Sequence, residues 1–251
     1  MRCALLLAYD GTAYRGWSPQ GGTQSVAAAV ATALARLGEN ALPHGAARTD
    51  AGVHARGQIA HVDLARTWEP ARLAASLNRH LPGDIACRGV AAVAHDWDAI
   101  AAATGKIYTY RIDNGAAPDP FAAHFAWRPP FRIDLATVQQ IAARIPGERD
   151  WSAFARRGET RRDARRTIDA VDWHADGDSL VCTLHGNGFT YRLVRALVGA
   201  MVAVAHGGAE AAALDAALAG TPTGAARQQA PARGLTLETV RCEPAPVFAA
   251  P

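Results

Sequence analysis

Lysine is almost missing from this chain. Of 26 lysine and arginine residues only Lys106 is lysine, so positive charge is carried almost wholly as guanidinium. Guanidinium forks match phosphate oxygens and hold their charge in a dry site. Cysteine is scarce as well: Cys3, Cys87, Cys182 and Cys242 stand far apart with no CxxC pair. That excludes a zinc ribbon or redox dithiol and predicts four small buried apolar side chains. No apolar run approaches a membrane span, so no membrane association is expected. The apolar start ends at Tyr9-Asp10-Gly11, too early for a secretory signal, so a cytoplasmic protein is expected. The glycines contain no GxxxxGK[ST] arrangement, and no cofactor is implied. His44, His54 and His61 lie near Asp50 and Asp63 but repeat no HxxxH or HExxH spacing, so no metal site is expected.

What is present fits a globular protein. Apolar residues make up 49% and charged residues 20% of 251 positions, which excludes disordered and fibrous classes. Net charge is only +3, so the placement of charge matters more than its sum. The densest basic run is Arg156 to Arg166, a solvated loop that becomes a candidate phosphate contact beside a nucleic acid.

The hydrophobic pattern divides into two halves, 1–105 and 106–251. In the first, residues 4–8 read as a strand. Ser25 stands as an N-cap before Val26, Val30, Leu34 and Leu37 at helical spacing. Residues 58–64 and 85–93 read as strands around a short helix, 69–77, with Pro70 in its first turn. In the second half, residues 107–112 are β-branched and aromatic, and Asp134 caps a helix with Leu135, Val138, Ala142 and Ile145 on one face. Asp176-Gly177 separates two strands, 168–173 and 180–184. An almost wholly apolar helix is predicted over 191–205, a short one over 210–218 and a last strand over 235–242. Strands and helices mix without a βαβ rhythm, which predicts an α+β fold with largely antiparallel sheet.

Small residues pack around one triplet, Arg48-Thr49-Asp50, with Gly45, Ala46 and Ala47 before it and Ala51 and Gly52 after it. Asp50 can cap a short turn there, or face a bulky ligand. Arg195 sits on the apolar helix, where an arginine needs a carboxylate partner or must reach solvent beside Arg192. Tyr108 and Tyr110 alternate with Thr109 and share one side of their strand.

Arg48-Thr49-Asp50-Ala51-Gly52-Val53-His54-Ala55 with Gly57-Gln58 resembles the catalytic signature of the tRNA pseudouridine synthase A family. Tyr9 to Trp17 resembles the family's opening strand and loop. Leu77-Asn78, Leu81 to Ile85, Tyr108 to Tyr110, Gly188-Phe189, Val194-Arg195 with Val198-Gly199, and Gly234-Leu235 follow in the family's order. The resemblance implies two related half-domains joined around a central basic cleft, the pseudouridine synthase fold. It implies conversion of uridine to pseudouridine in the tRNA anticodon stem-loop, at positions 38 to 40, with no cofactor and usually as a homodimer. Asp50 is then the catalytic carboxylate and Arg195 its partner. Tyr108 lies against the base, Leu235 lines the pocket, and Arg48 supports base extrusion. A tRNA-binding or tRNA-folding factor without turnover is the alternative, and hydrolysis of a nucleoside bond is a third. The chain departs from the family pattern in three places: Ala47 replaces glycine, Ile100 replaces arginine, and Trp97-Asp98 replaces phenylalanine-histidine.

Overall fold

A computed structural model describes residues 1–20, 22–155 and 164–251. The chain runs β1 (Arg2–Tyr9), α1 (Val26–Arg36), β2 (His44–Gly45), β3 (His54–Asp63), α2 (Pro70–Asn78), β4 (Ile85–Ala92) and β5 (Ala103–Asp113). It continues through α3 (Leu135–Ala142), β6 (Gly147–Asp150), β7 (Arg165–Asp176), β8 (Ser179–Gly186), α4 (Leu193–Ala205), α5 (Ala211–Leu218) and β9 (Leu235–Cys242). Contacts group the chain into two units, Met1–Gly105 with Thr236–Pro251, and Lys106–Leu235.

The first unit is a sheet in the order β4-β1-β3-β9, with β2 also on β3. β1 is antiparallel to both neighbours, and Cys3, Leu5, Leu7 and Tyr9 bury one face at the strand period of two. Ser25 caps α1 by accepting from the Ala28 N–H, and Val26, Val30, Ala33 and Leu34 face inward. Glu69 caps α2, with Pro70 in the first turn, where its missing N–H costs nothing. The closing residues Thr236–Pro251, read from the pattern as part of the second half, belong to this unit. β9 lies parallel to the start of β3, Trp97 Nε1 donates to Pro244 O, and Ala249 bridges Val90.

The second unit is an antiparallel sheet in the order β5-β8-β7-β6. Asp134 caps α3 by accepting from the Thr137 N–H, and α3 packs on β7 and α4. α4 buries ten of its thirteen residues, as an all-round apolar helix must. It starts two residues later than the pattern predicts, because Arg192 takes a left-handed conformation, φ 61°, that no helix interior admits. β7 overruns its predicted limits at both ends, and β6, too polar to show an apolar alternation, has no counterpart in the pattern. The four cysteines are buried and form no disulfide, and burial pushes the Cys3 and Cys87 thiols up to about 11.

Candidate active site

Asp50 belongs to the first unit, in the stretch that joins β2 to β3. Burial alternates along this stretch: Ala47 and Thr49 are buried, Arg48 is exposed and Asp50 is half-buried. Arg48 and Asp50 therefore share the outward side, as alternate residues of an extended chain do. Asp50 O accepts from Val53 N at 3.1 Å, and Gly52 turns the chain at φ 76°, the left-handed region glycine enters freely. Asp50 thus closes a turn with its backbone while its side chain faces outward.

The backbone here is pinned from beneath. Trp17 N donates to Thr49 O at 3.1 Å, and Gly52 N donates to Tyr14 O at 3.2 Å. Such contact requires glycine on the opposing loop. A Cβ on Gly16 would stand 2.5 Å from Thr49 O, and one on Gly11 would stand 1.9 Å from Val53 O. Gln58, wholly buried on β3, accepts from Ala47 N at 3.2 Å and donates to Ala47 O at 2.6 Å. Its amide also reaches Tyr9 OH, which lies 2.8 Å from Thr49 Oγ1. Gln58 and Tyr9 stand inside the motifs that carry the family resemblance, but the sequence assigns neither of them a role. A lone glutamine on a strand reads as an outward polar residue, and only the crossing of the Ala47 stretch buries it.

The departure at Ala47 is harmless to this geometry. Among the described residues Arg192 is the one non-glycine at positive φ, so Ala47 holds an ordinary backbone that accepts a methyl group. Ile100 is 57% exposed, and Trp97 is buried. Asp98 accepts from the Ile100 and Ala101 N–H groups, so it has a turn-forming role where it stands.

Tyr108, Arg195 and Leu235 belong to the second unit. Tyr108 is buried on β5, edge-on to Phe189 with ring centroids 5.3 Å apart. Tyr110, on the same side, donates to Pro231 O at 2.8 Å, and burial raises its hydroxyl well above the ordinary range. Gly234 is seated against it: a Cβ there would meet the Tyr110 ring at 2.6 Å. That close fit sets where β9 starts, and with it the buried Leu235. Arg195 is half-buried in the first turn of α4 and held to one residue twice. Its Nε donates to Ala230 O at 2.8 Å, and its own carbonyl accepts from Ala230 N at 3.0 Å. Arg192 is not its neighbour on a helix face. It lies outside α4, with its guanidinium 4.7 Å over the Tyr191 ring.

Among the described residues, no three histidine, cysteine or acidic side chains are placed to hold a metal. His54 Nδ1 accepts from Gly11 N, and His61 Nδ1 accepts from Ala99 N. Of the arginine run, residues 156–163 lie outside the described residues. Arg165 pairs loosely with Glu148 at 3.7 Å, both side chains being largely exposed. No helix is long and apolar enough to cross a membrane among the described residues.

A family profile described as tRNA pseudouridine synthase matches residues 141–242. A tRNA pseudouridine synthase A of Shouchella clausii is 37% identical over 95% of this chain and 92% of its own. One from Geobacter sulfurreducens is 38% identical over 81% of this chain and 84% of its own. One from Xanthobacter autotrophicus is 36% identical, covering 95% and 98%.

Proposed function

The chain belongs to the tRNA pseudouridine synthase A family, and from that premise we propose that it isomerises uridine to pseudouridine in the tRNA anticodon stem-loop, at positions 38 to 40. The reaction is internally balanced. The C1′–N1 bond breaks, uracil turns, C5 bonds to C1′, and the proton lost from C5 is matched by one gained at N1. What this chain must supply is an ionised, positioned carboxylate and a pocket that keeps the free base from leaving.

The observation that supports this reading best is Asp50 itself: a half-buried carboxylate facing outward from a backbone anchored by Trp17, Tyr14 and Gln58. In this reading the Arg195 guanidinium pairs with the Asp50 carboxylate. Tyr108 stacks on the target base, Leu235 lines the pocket, and Arg48 supports extrusion of the uridine, which costs a few kcal/mol of stacking. We extend the reading to a homodimer acting in the cytoplasm, with light scattering of the purified protein as the test of the dimer.

The deciding experiment is chemical mapping of pseudouridine after incubating unmodified tRNA with purified protein. New pseudouridine is expected in the anticodon arm. Asp50→Asn keeps the shape and loses the charge, so it should abolish product while tRNA binding changes by no more than a few-fold. Product at near wild-type rate from that variant removes Asp50 from the mechanism.

A further inference from the structure

Gln58 is the one residue of β3 whose side-chain amide does what backbone normally does. Oε1 accepts the Ala47 N–H at 3.2 Å, and Nε2 donates to the Ala47 carbonyl at 2.6 Å, so both polar groups of one residue are held by one amide. The remaining Nε2 hydrogen points to Tyr9 OH at 3.4 Å. Tyr9 OH then lies 2.8 Å from Thr49 Oγ1, the side chain directly before Asp50. Gln58 is 0% exposed and Tyr9 5%. Burial pushes the Tyr9 hydroxyl up to about 12, so it stays protonated and can accept from Gln58 while donating to Thr49.

A leucine would occupy this β3 position with no amide to desolvate. The amide does one thing a leucine cannot: it fixes Ala47 and, through Tyr9, Thr49. These are the two buried residues that alternate with Arg48 and Asp50. The outward pair is aimed by the inward pair. We propose that Gln58 and Tyr9 are positioning residues that act through Ala47 and Thr49 to hold the Asp50 carboxylate in its reactive place; the proposal rests on Asp50 being the reacting carboxylate. Misplacement of a reacting group by an ångström lowers a rate by up to about a hundredfold, so the loss belongs in kcat.

Three variants and one control test this, read as kcat and KM for tRNA with the folded fraction followed by circular dichroism. Gln58→Leu should fold and lose kcat by about tenfold or more with KM little changed. Tyr9→Phe removes one hydroxyl and should lose kcat by a few-fold, also at unchanged KM. Gln58→Glu is the diagnostic variant. Protonated, its carboxyl can both accept from Ala47 N and donate to Ala47 O; ionised, it cannot donate. Its kcat should therefore fall as pH rises through a carboxyl pKa that burial lifts above its usual value, a limb absent from wild type. A merely structural glutamine would lower the folded fraction and leave no such limb in kcat.

Folded Gln58→Leu with kcat within twofold of wild type overturns the proposal. If Gln58→Leu does not fold, wild-type kcat in Tyr9→Phe together with a flat kcat profile in Gln58→Glu overturns it. Asp50→Asn, run alongside, separates the two ideas. Activity in Asp50→Asn defeats the assignment of the carboxylate. An inactive Asp50→Asn beside fully active Gln58 and Tyr9 variants defeats only the positioning.

Discussion

Glu39 shows what a buried carboxylate needs in order to stay charged. It is 1% exposed and accepts from Ala65 N at 2.7 Å, Arg66 N and Nε at 3.2 Å, and Trp68 Nε1 at 2.9 Å. Burial pushes its carboxyl up, but the donors from Trp68, Ala65 and Arg66 outweigh that and hold it below its ordinary value of 4.5. A lowered folded-state value means the stabilisation is full above the unfolded value and is lost as pH falls through the folded one. Glu39→Gln should thus cost more than about 1 kcal/mol at neutral pH, by urea unfolding, and flatten the acid side of the stability curve below about pH 4.5. A variant whose acid limb matches wild type would remove Glu39 from that role. Asp50 stood out in sequence for a different reason: small residues crowd the Arg48-Thr49-Asp50 triplet, which leaves a turn cap or a ligand-facing carboxylate open, and the resemblance to the family is what makes it the expected catalytic residue. Gln58 and Gly16 stand in motifs that carry the resemblance, but what they do was not legible. Their roles come from chain segments that meet them only in the folded unit, and no local pattern records such a crossing.

The helices were well marked because their signals are local. Ser25, Glu69 and Asp134 stand at the starts of α1, α2 and α3, each accepting from a first-turn N–H. α4 carries no such mark and was placed by its apolar run alone, which does not record where its first turn begins. The stop signal is Arg192 at φ 61°, a conformation that costs an L-residue with a Cβ about 1–2 kcal/mol. That strain fixes where the turn carrying Arg195 begins. Side chains differ in how well they tolerate it: asparagine enters this region readily, whereas a β-branched residue does not. Arg192→Val should therefore be less stable than Arg192→Asn by roughly 1 kcal/mol or more, although both lose the same guanidinium. Equal midpoints for the two variants in denaturant would mean that the backbone at 192 relaxes. Strands were marked less well. β6 and the ends of β7 are polar, and pairing is what makes them strands: β6 with the start of β7, Gly147↔Ile168 to Asp150↔Arg165, and the end of β7 with β8, His174↔Val181 to Asp176↔Ser179.

At the scale of the whole chain, the sequence pattern separates two halves but misplaces the tail. Thr236 and Leu237 pair in parallel with His54 and Ala55, and parallel pairing of remote segments leaves no turn signal between them. The chain therefore leaves the first unit at Gly105 and returns to it at Thr236, so Asp50 and Arg195 are carried by different units. Their proposed coupling is an energy and can be measured as one. Arg195→Met should inactivate the enzyme and destabilise it by more than about 1 kcal/mol, because it strands the Asp50 charge and also removes the Nε bond to Ala230 O. The Ala230 bond is lost whether residue 50 is Asp or Asn, so it cancels in a double-mutant cycle and leaves the charge coupling alone. Adding Asp50→Asn to Arg195→Met should recover part of the lost stability, since no unpaired carboxylate remains, and should restore no activity. If the two changes add in stability, Asp50 and Arg195 do not interact. Arg195 is then an anchor for Ala230 or a phosphate contact.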